Sequence, residues 1–419
     1  MSDFKPFIKK INDIDDIFET ETDLVQSKYQ NLPLISLGFN SFIKQVREKM
    51  LDKQLKERLF YLVANNFEHK INDHNDDLEN ISIKLFKDSG DKNFERSFFK
   101  LWEMIVYFDL INLNDKDFLS SHLCEKDGSL LKATLEYRNK YLKKDDLKKD
   151  HYCVTTKPNN KKLSDIQSEC MNKYKSSIFK YEKSNTDLND ETGNDGGLTN
   201  TSNIKEYLKV LDKNKKLASL ITCNGDFNNT NEVDMYKLIL GQIITSMSSQ
   251  KKGGNMVLKI FDTYTLPTLK MICILKSLYN EVIVCKPLMS RNFKEEKFLV
   301  CKGFKFDQDS KLKKKIDNLY TLLDDMNSSQ NIYDIFSNYN LNNEFKKKIV
   351  EINLNLSNNQ YVSINNITEY KNSGNYFGDS YHKYKSDQIE ATKWWVDTFY
   401  VSDTKKLGET QKLFKQLIV

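Results

Sequence analysis

Hydrophobic and polar positions divide this chain into three blocks. In the first, apolar residues recur at helical spacing from Phe42 to Ala64 and again from Leu78 to Phe86, which makes residues 1–94 a polar, helical N-terminal extension. After it the pattern changes. Phe98–Leu110 is an apolar helix carrying Lys100 and Trp102, Phe118–Cys124 a short strand, Leu130–Tyr141 an amphipathic helix and His151–Thr155 a second strand. A polar stretch, Lys157–Asn203, follows, with Gly193, Gly196 and Gly197; such an insertion is expected to be a surface loop or a partly helical excursion. Next come a helix at Ile204–Leu211, a buried strand at Leu217–Cys223, a helix over Val233–Gln250, the strand Asn255–Phe261, the helix Leu266–Leu278, and the strands Glu281–Cys285 and Lys297–Cys301.

Strands alternating with long helices predict a parallel sheet covered on both faces. The last two strands are joined by a short stretch without helical pattern, so they read as an antiparallel, hairpin-like edge. The middle block, 95–305, is therefore an α/β domain with 157–203 as a polar insertion. The third block, 306–419, is helical and ends in Ser386–Tyr400, where Trp394 and Trp395 sit. There is no internal repeat and no heptad run.

Composition adds little to this picture. The 419 residues are 39% hydrophobic and 12% aromatic, enough for a sizeable core. The mean hydropathy of -0.62 reflects Asn- and Lys-rich stretches such as Asn189–Asn203 and Asn327–Lys348. A net charge of +5 is compatible with a polyanionic partner without demanding one. The runs Lys311–Lys315 and Lys346–Lys348 are either solvated helix faces or tracks for RNA. Seven cysteines without paired spacing read as free thiols in a reducing compartment, not as a zinc site. The N-terminus does not resemble a signal peptide, and no window approaches ~18 apolar residues. The expectation is a soluble, cytoplasmic protein without a membrane segment; an AT-rich, for instance viral, genome suits the composition.

Open α/β sheets bind ligands outside the carboxyl ends of their strands. Three such ends are informative: Leu123-Cys124-Glu125-Lys126-Asp127-Gly128-Ser129, Thr222-Cys223-Asn224-Gly225-Asp226, and the run Gly253–Asp262. The first has a glycine between strand and helix, which lets backbone approach a ligand or simply makes a tight turn. In the third, Lys259 interrupts an apolar strand, where lysine is almost never fully buried unless paired. It is either a side chain snorkelling to the sheet edge or a lysine of depressed pKa that acts as a base.

The stretch Gly253–Gly303 reads GGNMVLKIFD, a helix, VIVCKP, SR and EEKFLVCKGF. It resembles FtsJ-like cap 2′-O-methyltransferases, in which a Gly-Gly turn leads into a strand with a central lysine. In that family a KP..SR loop then precedes a glutamate at the head of an edge strand ending in CKG. Fainter similarity extends upstream to about Ser97. The resemblance implies a Rossmann-like methyltransferase sheet, mostly parallel with an antiparallel edge strand, between helical N- and C-terminal extensions. It also implies S-adenosylmethionine as cofactor, capped mRNA as partner, and a capping or transcription assembly as the setting.

The family uses a Lys-Asp-Lys-Glu tetrad. Carried over by position, Lys100, within Arg96-Ser97-Phe98-Phe99-Lys100-Leu101-Trp102-Glu103, is the first lysine, Lys259 the second, and Glu296 the glutamate. Two lysines close together in a partly dry cleft lower each other's pKa, so one can be neutral and take the proton of a ribose 2′-hydroxyl. The oxygen then attacks the sulfonium methyl in line, and Glu296 would keep lysines and ribose in register.

Three positions depart from the family pattern. Asn224 stands where the aspartate belongs, and Asp226 substitutes only if the turn bulges. The family's CEAPG turn is Cys124-Glu125-Lys126-Asp127-Gly128 here; Cys124, Glu125, Gly128 and Ser129 are the expected cofactor contacts. The GD-I-T segment resembles Gly196-Gly197-Leu198-Thr199-Asn200, which leaves Gly197 in place of the acid. All three lie on the cofactor side and point toward weakened or lost S-adenosylmethionine binding. Three functions follow: an active RNA 2′-O-methyltransferase acting on the cap; a catalytically inactive relative kept as an RNA-binding or scaffolding subunit, its lysines on phosphate; or an interaction protein using the insertion and the C-terminal helices. Trp394 and Trp395 could stack on a cap guanine, although adjacent residues on a helix cannot both face one pocket.

Overall fold

The structure is a computed structural model. It describes residues 4–29, 41–46, 63, 65–67, 95–147, 150–156, 161–169, 177–182, 196–212, 217–226, 232–326, 330–373 and 378–416. The middle block forms the expected alternation of strands and helices: α1 (Arg96–Phe108), β3 (Leu119–Leu123), α2 (Ser129–Tyr141), β4 (His151–Thr156), α5 (Thr201–Asp212), β6 (Ala218–Cys223), α6 (Tyr236–Ser249), β7 (Gln250–Ile260), α7 (Leu266–Leu278), β8 (Tyr279–Lys286) and β9 (Lys297–Phe304). Parallel strands are covered on both faces and are usually apolar throughout. One exception is β3, Leu-Ser-Ser-His-Leu, which is buried at every position. It is tolerated because its polar groups pair with each other. His122 Nε2 meets Ser120 Oγ and His122 Nδ1 meets Thr222 Oγ1, each at 2.8 Å, while Ser121 Oγ meets Tyr207 Oη at 2.6 Å. Burial drives His122 down to about 3, so the imidazole stays neutral.

Among the described residues the main sheet has eight strands in the order β1-β8-β9-β7-β6-β3-β4-β5, where β1 is Phe7–Lys10 and β5 Ser177–Glu182. From β7 to β5 all neighbours are parallel. At the other end β9 is antiparallel to both β7 and β8. The mostly parallel sheet with antiparallel character at one edge is as expected; the place of its last strand is not. The short connection after β8 folds β9 back between β7 and β8, and β8 is then covered by β1 (Phe7–Lys10), which pairs with it antiparallel.

Two further readings need correction. The N-terminal extension contributes strands as well as helix: β1, and β2 (Leu24–Ser27), which pairs with β10 (Asn331–Ile335) of the C-terminal block. Strands this short carry too few residues to show an alternation. The polar insertion is partly helical, as one of its two readings has it, but it also contributes a strand to the sheet. It carries α4 (Lys161–Glu169) and β5 (Ser177–Glu182), and β5 pairs in parallel with β4 along its whole length. Of the predicted N-terminal helices, residues 41–46 and 63 are helical. The rest of Phe42–Ala64 and all of Leu78–Phe86 lie outside the described residues. The four-residue helix α3 (Lys144–Leu147) follows α2.

Helices cover both faces. On one side α5, α6, α7 and α8 (Ser310–Asp325) bury Tyr207, Ile243, Leu269 and Leu319; on the other α1 and α2 pack with α10 (Asp379–Phe399) and α11 (Thr404–Lys415) through Trp102, Leu131, Trp395 and Phe414. The long helix α9 (Asn343–Ser373) passes the site end of the sheet. Buried Glu232 caps α7, accepting the backbone N–H of Thr265 at 2.9 Å and its hydroxyl at 2.6 Å. Among the described residues no helix is long and apolar enough to cross a membrane.

The turn before α5 is held by close packing on α6. A Cβ at Gly241 would lie 1.9 Å from the Leu198 carbonyl oxygen, so helix and turn meet backbone to backbone. Gly241→Ala is expected to displace that turn and destabilise the protein by about 1–3 kcal/mol, the cost of overpacking a filled core. Urea unfolding of variant and wild type measures it, and an unchanged midpoint would contradict this packing.

Candidate active site

Strand register assembles the site. Cys223 pairs with Leu258, so Lys259 stands one step beyond the last paired residue of β6. Its long stem carries Nζ past the sheet end to Asp226 Oδ2, 2.9 Å away. On the other side Lys259 pairs with Phe298, which puts Glu296, at the head of β9, at the same end of the sheet. The second turn of α1 brings Lys100 against Glu296 as an ion pair. Lys100, Glu296, Lys259 and Asp226 thus form one cluster. The side chains of both lysines are 7% exposed and that of Asp226 29%, so the cluster opens to solvent on the aspartate's side.

The acid against Lys259 is Asp226 and not Asn224. Asn224 continues the line of β6, its N–H donating to Leu123 O at 3.0 Å. Gly225 then packs on α6, its N–H donating to Gln242 Oε1 at 3.2 Å. Alignment by strand end therefore points two residues short of the charged partner.

A third lysine stands beside the cluster. Lys286 is buried and donates to the carbonyls of Lys294 at 2.7 Å and Glu296 at 2.8 Å. Burial lowers it to about 7, against the pull of Glu296. Burial alone would raise the Glu296 carboxyl, but Lys100 and Lys286 hold it at about 2. Burial also lowers Lys100, opposed by Glu296 and reinforced by Arg96 and Lys259.

Behind the cluster, Glu103 of α1 fastens the 287–290 loop. It accepts from the N–H of Leu288 at 2.7 Å, the N–H of Met289 at 3.0 Å and the indole of Trp395 at 2.9 Å. Burial pushes its carboxyl up to about 8 despite these donors. Ser290 Oγ donates in turn to Glu296 Oε1 at 3.2 Å. Sequence reasoning missed Glu103, Lys286 and Ser290. A charged residue three positions after Lys100 on an apolar helix was the available signal for Glu103. The KP and SR pairs contained the other two.

Trp395 is fully buried on Glu103, and Trp394 packs against Phe4 and Phe67. Both tryptophans are thus packing residues. In the basic runs Lys347 and Lys348 pair with Glu344 and Glu351, and Lys311, Lys313 and Lys314 are exposed.

The expected cofactor residues also converge. Cys124 has φ 58° and its N–H donates to Thr155 Oγ1 at 2.8 Å. The turn at Gly196 lies directly over it: a Cβ there would be 2.6 Å from Thr155 Oγ1 and 3.2 Å from Cys124 Cα. Gly128, at φ 78°, starts α2, and Asp127 Oδ1 accepts the N–H of Ser129 at 2.9 Å. Gly197, at φ 76°, is buried in the facing turn. Glu125 is fully buried; the backbone N–H groups of Leu130 and Gly128 face its carboxyl, and no side chain pairs with it. Burial, with Asp127 adding, pushes it up to about 8.

A sheet of this order with a lysine–acid cluster at its carboxyl end is that of a methyltransferase domain. The model of the FtsJ-like methyltransferase family matches residues 94–304, half of the chain, and the chain belongs to that family. It is 28% identical over 59% of its length to the uncharacterised protein L511 of Acanthamoeba polyphaga mimivirus, covering 30% of that protein. It is 27% identical over 38% of its length to cap-specific mRNA (nucleoside-2′-O-)-methyltransferase 1 of Dictyostelium discoideum, covering 22% of it. It is 24% identical over 45% of its length to the inactive cap-specific mRNA (nucleoside-2′-O-)-methyltransferase 1B of Caenorhabditis briggsae, covering 24% of it. The chain thus spans less than a third of each of these relatives.

Methyltransferases of this class take S-adenosylmethionine, whose ammonium and sulfonium groups are positive. A buried carboxyl that no side chain neutralises is a group such charges satisfy, so Glu125 fits it. Its burial has a measurable cost. Its folded pKa lies above the ordinary 4.5, so stability falls as pH rises from about 4.5 to about 8. Glu103 acts in the same direction. Glu125→Gln should therefore flatten the fall in thermal midpoint between pH 5 and pH 8 and raise the midpoint at pH 8. Equal slopes in variant and wild type would refute the assignment.

Proposed function

We propose that the chain is an RNA 2′-O-methyltransferase acting on capped mRNA. The observation that carries this reading is the contact of Lys259 with Asp226 beside the Lys100–Glu296 pair. It restores the acid that Asn224 lacks, so a full Lys-Asp-Lys-Glu set faces one opening. The Dictyostelium relative, a cap-specific mRNA methyltransferase by name, supports the substrate class. The described cysteines are buried free thiols, which supports a reducing, cytoplasmic setting.

S-adenosylmethionine would be held by Glu125, the Cys124–Gly128 turn and the backbone at Gly196 and Gly197. When bound it supplies an electrophilic methyl group. Lys259 Nζ takes the proton of the 2′-hydroxyl, and Asp226 orients that nitrogen and balances the ammonium that results. Lys100 and Glu296 present a neutralised pair that positions the ribose, and the burial of both lysines limits water around the transferred proton.

A second reading, an inactive RNA-binding subunit, draws on Asp127. Its carboxylate already occupies the N-terminus of α2, where a ligand's anionic group would dock, and Gly197 supplies no acid to the facing turn.

Calorimetric titration with S-adenosylmethionine and methyl transfer to capped RNA separate the two. The first reading expects a binding heat and transfer; a flat titration without transfer rejects it. Lys259→Ala should lower transfer by at least ~100-fold, the scale of a lost general base, with cofactor affinity nearly intact. Asp226→Asn should slow transfer severalfold, whereas Asn224→Asp should leave the rate unchanged. A faster Asn224→Asp variant would show that Asn224 occupies the acid's place.

A further inference from the structure

Next to the charge cluster lies a cavity of about 370 Å³, bounded by residues 4–7, residues 65–67, the 286–292 loop and α9. Its volume is in the ~300–1,000 Å³ range of small-ligand sites. It shares two residues with the cluster. Lys286 lines the cavity and holds the Glu296 carbonyl, and Ser290 lines it and donates to the Glu296 carboxylate. A group seated here is therefore an immediate neighbour of one bound at Lys259 and Glu296.

The lining has a definite chemistry. Asn66, Asn292, Asn359 and Asn366 contribute solvent-exposed amides, and Phe4 and Phe7 an apolar wall. Asn65 differs from these: its amide is engaged in holding the loop, donating to Leu288 O at 2.9 Å and accepting from Phe67 N at 3.2 Å. The charged lining residues are Lys5 and Lys286, and no carboxylate is among them. Each free amide offers a donor and an acceptor side by side, the complement of a nucleobase edge. Unstacked RNA bases are recognised in this manner, by edge hydrogen bonds beside aromatic rings. A positively charged methylated guanine would meet two lysines and no acid, so the cavity suits an uncharged base, with exposed Lys5 available to its phosphate.

We propose that this cavity receives the uncharged base of a nucleotide adjacent to the ribose that is methylated. The proposal rests on the RNA-methyltransferase reading above, and its test keeps the two apart. Capped oligoribonucleotides of one length, each with a single abasic site at a different one of the first positions, are titrated by fluorescence anisotropy. The proteins are wild type and the double variant Asn359→Ala/Asn366→Ala, both sites being exposed on α9; equal melting temperatures confirm folding. Wild type should lose affinity about tenfold for one abasic position, the scale of a well-placed amide–base contact. The double variant should lose as much on intact RNA and nothing further on that abasic RNA.

Additive losses, an unaffected double variant, or wild type that binds no RNA would overturn the proposal. So would a non-additivity that vanishes when the cap lacks its methyl group, because the cap guanine would then be the occupant. Methyl transfer by wild type is assayed on the same RNAs. Position-dependent binding without transfer refutes the catalytic reading and leaves the base pocket standing; transfer with position-independent binding does the reverse.

Discussion

Ammonium groups cannot be left alone in a protein interior, and this domain buries several of them at one end of its sheet, Lys297 against the Phe261 carbonyl among them. Lys100, Lys259 and Lys286 are each 6% exposed. Desolvating a cation costs several kcal/mol unless it is paired and hydrogen-bonded. Each lysine has its own answer: the Glu296 carboxylate for Lys100, Asp226 for Lys259, two backbone carbonyls for Lys286. Those partners come from the turn after β6 and from the loop before β9. A one-residue slip of β9 on β7 would turn Glu296 and its neighbours to the opposite face. Neutralisation of these charges and the strand register therefore specify each other, and the chemistry inherits its geometry from that agreement.

Glu103 extends the same logic away from the opening. One buried carboxyl receives two N–H groups of the 287–290 loop and the Trp395 indole of α10. A helix of the central block, the loop that carries Ser290 and a helix of the C-terminal block are thus tied at a single point. The C-terminal block is accordingly part of the support of the site, joined through hydrogen bonds that an apolar contact would not aim.

The alternation of apolar runs was enough to read the central fold, because parallel strands buried on both faces stand out against lysine-rich surroundings. Lys259 and Glu296 were legible for a related reason, each being a charge placed where its neighbours are apolar or the motif fixed. Asp226 was harder. Position along β6 favours Asn224, and only the reach of a lysine side chain beyond the paired register brings the aspartate into contact. The strands β1, β2 and β5 escaped because they are only four to six residues long and show no clean alternation. Their pairing partners, distant along the chain, decide them, and local pattern contains no information about that. Lys286 and Ser290 lay in plain view within a motif, yet their roles are visible only once the loop is folded onto Glu296.

The strand β1 has a consequence for the order of assembly. Lys10 and its ion-pair partner Glu281 are separated by 271 positions. During synthesis, residues 7–10 leave the ribosome long before the β8 edge they cover exists. The segment must stay unpaired while the parallel core nucleates through nearer contacts. Until it docks, β8 is an open edge with unsatisfied backbone groups, a template for pairing with another chain. Phe4 and Phe7 arrive with it, so the wall of the amide-lined cavity is among the last parts of the molecule to form. The same short strand thus ends the period of aggregation risk and completes that cavity.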